Sequence, residues 1–240
     1  MPLAASDVLD RARRILLDET SVRWPLPELV LWLNDGLREL VTLKPSSTAA
    51  PVILPMRAGT LQELPAEHIS LLRVVRNIEA LPASPGAPPV PGRAIRICPR
   101  DQLDTLNPDW HRPERVPFAT QVRHYVYDET APRVFYVYPG NDGEGLVEAI
   151  VSKMPALVEL PASAPDELSS YVGIELDVHE IYGAALVDYV LYRAYSKDAQ
   201  FAGNAARAGA HYGQFQGLIG VKGAAEAATT PNAARSVATG

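Results

Sequence analysis

Residues 24–45 read WPLPELVLWLNDGLRELVTLKP and contain a long amphipathic pattern. Pro25 and Pro27 suit a first helical turn, where a missing N–H group breaks no helical hydrogen bond. Apolar residues then recur on one helical face, at Leu26, Val30, Leu33, Leu37 and Leu40. Lys44-Pro45 and the three hydroxyl residues that follow end the pattern. The stretch therefore predicts one helix of about five turns.

The residues before this stretch predict a shorter helix. Ser6 is a suitable N-cap, and Asp7 places negative charge in the first turn. One face then carries Val8, Leu9, Ala12, Ile15 and Leu16. Because the link to residue 24 is short, we expect the two helices to pack as an antiparallel pair.

The middle of the chain changes from helical to strand patterns. Short runs rich in β-branched and aromatic residues occupy 52–54, 69–78, 94–97, 134–138 and 146–152, with turn residues between them. This pattern predicts a mostly antiparallel sheet. Residues 139–143 (PGNDG) predict a tight hairpin loop between the last two runs. Residues 81–92 (LPASPGAPPVPG) contain five prolines and predict an exposed, stiff loop.

The last third returns to helical patterns. Asp177 and Glu180 have the spacing of a capping box, which predicts that a helix starts there. Apolar residues cover nearly every side of residues 181–194, so this helix should be buried in its own subunit or against another copy. A final helix should run through His211 and Phe215. From Gly223 onward the residues are mostly small, and that tail cannot bury enough surface to fold alone.

Together these patterns predict an α+β fold, in which the N- and C-terminal helices form a bundle around an inserted small antiparallel β domain. We expect the first helices of the bundle in residues 1–48. The β-rich domain, with its proline-rich loop at 81–92, should occupy residues 49–160. Residues 161–220 should complete the bundle, and residues 221–240 should form a flexible arm.

Composition limits the functions that are open to the chain. Its 240 residues carry a formal net charge of −6 and no basic stripe, which argues against tight nucleic-acid binding. An acidic surface would suit a conduit that DNA passes without sticking. The single Cys98 excludes an intrachain disulfide and a zinc site built from cysteines. We expect a soluble protein made in a reducing cytoplasm, with no signal peptide and no membrane contact.

The sequence predicts no catalytic, cofactor or metal site. The five histidines are scattered, and the glycines at 140–145 are not followed by Gly-Lys-Ser/Thr. No Gly-x-Ser-x-Gly elbow occurs. Two carboxylate pairs, Asp101 with Asp104 and Asp166 with Glu167, have the residue types for acid–base chemistry. Solvated loop and capping roles explain them better.

The candidate site is instead a subunit or partner interface. Tyr182, Tyr189, Tyr192 and Tyr195 share about one helical face. Two interpretations stay open, namely core packing with hydroxyls at the rim and a contact face between subunits. Asp188 and Arg193 on the same helix need charged partners. The candidate interface residues are completed by Trp24, Trp32 and Arg38.

Three stretches resemble the head-to-tail adaptor family of short-tailed phages, which includes tail tubular protein A. Residues 24–39, with the pair Asn34-Asp35, are similar to the second helix of that family. Residues 135–139 (FYVYP) resemble the strand and turn near the end of its β region. Residues 185–198, followed by Asn204, His211, Tyr212 and Phe215, resemble its closing helical pair.

The resemblance implies a structural virion protein in the neck or tail region. Such proteins form a ring, typically of twelve subunits, that joins the portal to the tail nozzle or tail tube protein. The ring extends the channel through which double-stranded DNA passes during ejection, without sequence-specific binding. Three alternatives remain, namely another neck or tail completion protein, an enzyme that uses an Asp/Glu pair, and a cellular helical binding module.

Overall fold

The computed structural model describes residues 2–229 and divides the chain into two compact units. The helical unit contains Met1–Ser47 and Pro155–Gly240, and the β unit contains Thr48–Met154. The sequence pattern predicts an end of the β-rich domain at residue 160 instead. Residues 155–160 belong to the helical unit because Asn34 of that unit pairs with the backbone of Val158 through both amide atoms, each at 2.9 Å.

The described elements form runs of strands between a pair of helices near each end of the chain. In order they are β1 (Pro2–Ala4), α1 (Ala5–Leu16), α2 (Leu26–Leu43), β2 (Ala49–Pro55), β3 (Gly59–Glu63), β4 (His68–Ala80), β5 (Val90–Ala94), β6 (Arg96–Ile97), α3 (Arg100–Leu106), β7 (His124–Tyr127), β8 (Val134–Asn141), β9 (Leu146–Lys153), β10 (Glu175–His179), α4 (Gly183–Lys197) and α5 (Asn204–Thr229).

Helix α4 is the central element of the helical unit. It packs against α1, α2 and α5, and nearly all of its apolar side chains are buried. The short link between them predicts that α1 pairs with α2, whereas α1 packs mainly against α4. The difference follows from the all-round apolar surface of α4, which can contact several helices at once. Its neighbours contribute fully buried side chains to one core, including Leu9, Leu29, Leu33, Leu37 and Phe215.

The start of α4 differs from the predicted capping box. Asp177 lies in strand β10, which pairs antiparallel with β1. Leu176 and Val178 are buried in β10, while Glu175, Asp177 and His179 are exposed, and this alternation is that of a strand. A short 3₁₀ turn follows, in which the Ile181 N–H donates to His179 Nδ1 at 3.2 Å. Helix α4 then begins at Gly183.

Helix α5 extends beyond the predicted boundary at residue 220. It continues to Thr229, so the first part of the predicted flexible arm is helical. Residues 224–228 read AAEAA, and alanine has the highest helix propensity of all residues. Such a segment forms a helix by extending an existing one, without a core of its own. Residues 230–240 of the predicted arm lie outside the described residues.

The β unit contains two four-stranded sheets. Their strand orders are β2-β9-β4-β5 and β3-β8-β7-β6. Side chains from both sheets, among them Val74, Val147, Phe135 and Val137, form one buried cluster. All pairs are antiparallel except β6 with β7, which is parallel. The proline-rich residues 81–89 connect β4 to β5. The predicted loop at 81–92 therefore ends three residues earlier, because Val90–Ala94 forms strand β5. This strand lies at the edge of its sheet, where proline is tolerated.

The hairpin that was predicted around residues 139–143 is wrong. Strands β8 and β9 belong to different sheets, so the chain crosses between sheets at this loop. Asn141, whose side chain is fully buried, stabilises this crossing loop. Its Oδ1 accepts from the N–H groups of Gly143 (2.8 Å) and Gly145 (3.2 Å), and its Nδ2 donates to the carbonyl oxygens of Ala119 (3.1 Å) and Thr120 (2.9 Å).

Helix α3 covers the outer face of the second sheet. Trp110, which follows α3, is almost fully buried with Leu103 and Val126. Its ring lies edge-on to Tyr136 and Tyr138 at centroid distances of 6.2 and 6.4 Å. The β unit therefore has a second, smaller apolar cluster outside its main core.

Candidate interaction surface

A shallow polar groove opens on the helical unit where α2 and α4 meet. Residues of α2 form one wall and residues of α4 form the other. The lining residues are Asp35, Arg38, Glu39, Thr42, Leu43, Tyr189 and Arg193, and we call this set the rim groove. Three of them, Arg38, Tyr189 and Arg193, are candidate interface residues from the sequence.

Glu39 joins three helices at this groove. The Tyr189 hydroxyl of α4 donates to its Oε2 at 3.2 Å, and the Tyr212 hydroxyl of α5 donates to its Oε1 at 2.6 Å. Burial, aided by the nearby Glu39 carboxylate, raises the pKa of Tyr189 to about 12. The hydrogen bond to Glu39 is the main cause that raises the pKa of Tyr212. Both hydroxyls therefore remain neutral donors at physiological pH, and Glu39 is held in place.

Two arginines share one carboxylate at the mouth of the groove. Arg38 Nη1 lies 3.2 Å from Asp35 Oδ1, and Arg193 Nη2 lies 3.7 Å from Asp35 Oδ2. The Arg38 and Arg193 side chains are 48% and 39% exposed. Exposed ion pairs of this kind contribute only about 0–1 kcal/mol to stability. Stability therefore gives little reason for two arginines here, and their exposed guanidinium groups can meet an acidic partner.

Comparison with known proteins identifies the family of the chain. A family model described as SU10 adaptor protein matches residues 3–236. The chain belongs to the SU10 adaptor protein family. No curated protein matches it. The adaptor family is a structural family of phage proteins, and this confirms the resemblance at the level of a phage adaptor. The match does not extend to the likeness with tail tubular protein A.

The adaptor buries most of the aromatic residues that the sequence singled out. Trp24, Trp32, Tyr182, Tyr189 and Tyr195 are all less than 10% exposed and belong to the core of the helical unit. Their rings therefore pack inside the described chain. A role of this helix in subunit contact stays a prediction. The exposed residues of the rim groove are better placed for such a contact than these buried rings.

Tyr192 and Asp188, two of the remaining candidates, have partners on α5. Tyr192 is half-buried, with its ring centroid 4.8 Å from that of Tyr212. Asp188 Oδ1 lies 2.9 Å from His211 Nδ1. The His211 ring in turn stacks on Tyr195 with an interplanar angle of 9°. The structure thus supplies the partners that Asp188 and Arg193 needed, within the helical unit.

Sequence reasoning missed Asp35, Glu39 and Tyr212 as site residues. Asp35 and Glu39 are spaced i, i+4 and so lie on one polar face of α2, which was a usable signal. Nothing in the sequence indicated that Tyr212, on a helix distant along the chain, donates to the same carboxylate.

The raised pKa of Tyr189 predicts a loss of stability at alkaline pH. The pKa of Tyr189 is about 12 in the folded state, against 10.0 for the ordinary hydroxyl. The folded state therefore favours the neutral hydroxyl, and the resulting stabilisation is complete below pH 10 and is lost as the pH rises toward 12. The free energy of unfolding should fall by up to about 1.4 kcal/mol per pH unit for this one group. Urea unfolding at stepped pH measures the fall. Tyr189→Phe, which has no hydroxyl to titrate, should show a smaller fall than the unsubstituted chain, and equal falls would contradict the assignment.

Of the carboxylates considered for catalysis, Asp104 makes a hydrogen bond to the buried Trp110 ring. Asp104 Oδ1 accepts from Trp110 Nε1 at 2.8 Å, and this hydrogen bond is the main cause that lowers the pKa of Asp104. A general acid needs the opposite shift. Asp166 and Glu167 are exposed in a loop. Among residues 2–229, no group of three or more His, Cys, Asp or Glu side chains is placed to hold a metal ion.

None of the helices described between residues 2 and 229 combines the length and the apolar character that a membrane-spanning helix requires.

Proposed function

We propose that this phage adaptor forms a ring of twelve copies in the neck of the virion, where it joins the portal to the tail nozzle or tail tube protein. The ring extends the channel for packaged double-stranded DNA and holds that DNA without sequence-specific contacts. The family match over residues 3–236 carries the proposal. The formal charge of −6 supports it, because an acidic lining repels the phosphate backbone and lets DNA slide.

The rim groove is the part of the helical unit that we assign to partner contact. Arg38 and Arg193 are its exposed cations, and Glu39 with its two tyrosine donors fixes the wall behind them. Guanidinium groups bind carboxylates in a fixed, often bidentate geometry, which gives an interface its register. An acidic segment of the portal or of the tail protein would fit such a groove.

The test mixes the purified chain with the portal ring of the same phage and records native mass spectra of each alone and of the mixture. We expect a discrete complex with one adaptor copy per portal subunit, because a heterologous contact closes into a ring when its rotation permits. The chain alone can stay monomeric without contradicting the proposal, since the portal can template the ring. If no complex forms at any ratio, the chain is a different neck or tail completion protein.

A matched pair of variants tests the rim groove in the same experiment, run once with the portal ring and once with the tail protein. Arg38→Glu with Arg193→Glu should weaken the portal or tail complex by roughly tenfold or more, as expected when charges at an interface are reversed. Arg57→Glu with Arg112→Glu makes the same change of charge at two exposed arginines of the β unit. This control should bind like the unsubstituted chain. Equal binding by both double variants would remove the rim groove from the interface and leave the ring proposal in place.

A further inference from the structure

Charge is distributed unevenly along the chain. Residues 68–100 contain five arginines and a single acidic residue, Glu79. Residues 155–192 contain seven acidic residues and neither lysine nor arginine. The first segment belongs to the β unit and the second to the helical unit. A chain with a modest net charge therefore carries one locally basic and one locally acidic surface.

The basic surface contains arginines that have no partner in the described chain. Arg73, Arg93, Arg96 and Arg123 are exposed, and within residues 2–229 their side chains form neither an ion pair nor a hydrogen bond. Other arginines of the β unit are paired, for example Arg76 with Glu148. We call the four unpaired residues the arginine surface.

Hydrogen bonds to backbone carbonyl groups hold the segments of the arginine surface together. Asn77 is buried, and its Nδ2 donates at 2.8 Å both to the carbonyl of Arg93 and to that of Val122, the residue before Arg123. The Arg96 N–H donates to the carbonyl of Arg123 at 3.2 Å. Two residues beyond Arg73, the carbonyl of Val75 accepts from the N–H of Ile95 at 3.0 Å. The four side chains therefore start from adjoining backbone segments, and their like charges sum into one positive potential.

The acidic surface is equally short of partners. Glu159, Asp166, Glu167 and Glu175 are exposed on the helical unit, and none of them forms an ion pair within the described residues. Hydrogen bonds join the segments that carry them, since the Ala156 N–H donates to Asp177 Oδ2 at 3.2 Å and the Tyr171 hydroxyl donates to the carbonyl of Pro165 at 2.7 Å. We call these four residues the acidic surface. Arginine and carboxylate surfaces of this kind complement each other in charge and in hydrogen-bonding geometry.

We propose that the arginine surface of one copy binds the acidic surface of the next copy in the ring. This inference rests on the proposed ring, and it names the contact that closes it. Each copy has one arginine surface and one acidic surface. In a closed ring of head-to-tail contacts, each arginine surface therefore binds the acidic surface of the next copy, and no surface is left unpaired. DNA is a weaker candidate for binding to the arginine surface, because the whole chain has six more acidic than basic residues and would repel the phosphate backbone.

The test measures self-association of the full chain by sedimentation velocity over a range of concentrations, at about 20 mM and about 500 mM salt. The low-salt sample should associate with rising concentration, and the high-salt sample should associate roughly tenfold more weakly. Arg73→Glu/Arg93→Glu/Arg96→Glu should abolish self-association, and so should Glu159→Lys/Asp166→Lys/Glu175→Lys. An equimolar mixture of these two variants should associate again, because the reversed surfaces complement each other.

A matched control reverses three other exposed arginines of the β unit, in Arg57→Glu/Arg112→Glu/Arg115→Glu, and should associate like the unsubstituted chain. Circular dichroism establishes that each variant is folded. The proposal is overturned if the unsubstituted chain stays monomeric at low salt, if either triple variant associates normally, or if the mixture fails to associate. It is also overturned if the arginine variant loses only its binding to a short DNA duplex.

The portal experiment separates this contact from the proposed function. If the triple variants still form the complex with one copy per portal subunit, the adaptor function stands and the contact between the two surfaces falls. The unsubstituted chain could instead fail to bind the portal but still show salt-dependent self-association, restored when the two triple variants are mixed. In that case the contact between the two surfaces is supported, and the proposed position in the virion is rejected.

Discussion

Replacement of Asn141 by aspartate should lower the free energy of unfolding by about 3–5 kcal/mol. The side chain is fully buried and makes four hydrogen bonds to backbone groups. Aspartate keeps the two bonds from the N–H groups of Gly143 and Gly145. It loses both donated bonds, and it turns a carboxyl oxygen toward the carbonyl oxygens of Ala119 and Thr120. An ionised group would then be buried against two acceptors.

Urea unfolding followed by circular dichroism measures this loss. The matched control is Gln121→Glu, the same amide-to-carboxylate change at an exposed position that lies near the loop. It should change the free energy of unfolding by about 0.5 kcal/mol or less. A loss below about 1 kcal/mol for Asn141→Asp would mean that the crossing between the two sheets does not depend on this side chain.

The asparagine also explains why the sequence predicted a hairpin at this loop. Residues 139–143 have the turn composition of a hairpin, and local composition is all that a short-range pattern records. The deciding contacts join Asn141 to Ala119 and Thr120, which are about twenty residues away in the chain. A long-range contact of that kind leaves no periodic signal in the sequence, so the change of sheet could not be read from it.

Helix α2 shows the opposite case. Its apolar stripe, its prolines in the first turn and the Lys44-Pro45 stop are all local, and the structure places the helix at Leu26–Leu43. Strand β10 lies between these extremes. Its alternation of buried and exposed residues was visible, but Asp177 and Glu180 also matched a capping box, and pairing with β1 decided between the two.

The candidate site was predictable only in part. The tyrosine face of α4 could be read from spacings of seven and three residues, and so could the charged residues next to it. Whether those rings face a core or a neighbour depends on α2 and α5, which no spacing within α4 reveals. Glu39 acquires its position from two tyrosines on two different helices, and this explains why it was missed.

Replacement of Gly36 by valine should lower the free energy of unfolding by about 3 kcal/mol. Gly36 lies in the middle of α2, and a Cβ atom there would stand 2.9 Å from Cδ1 and 3.1 Å from Cγ of Tyr189. That ring is buried, with its centroid 5.0 Å from that of Phe215 and its hydroxyl bound to Glu39. It therefore cannot move aside without losing contacts on its other side.

Alanine at the same position shows which of two effects is larger. Glycine in a helix interior costs about 1 kcal/mol relative to alanine, so propensity alone favours Gly36→Ala. Overpacking against the Tyr189 ring costs about 1–3 kcal/mol and should outweigh that gain. The matched control is Gly213→Ala in α5, where an added Cβ meets no atom within 4 Å. This control should raise the free energy of unfolding by about 0.5–1 kcal/mol.

Chemical unfolding of the three variants therefore separates close packing from helix propensity. Gly36→Val and Gly36→Ala should destabilise in that order, and Gly213→Ala should stabilise. If Gly36→Ala stabilises as much as Gly213→Ala, the Tyr189 ring can shift, and Glu39 is not fixed behind the two arginines of the rim groove. If it destabilises as expected, glycine at position 36 is required by the same tyrosine that holds Glu39, and the packing of α2 on α4 and the geometry of the rim groove depend on one contact.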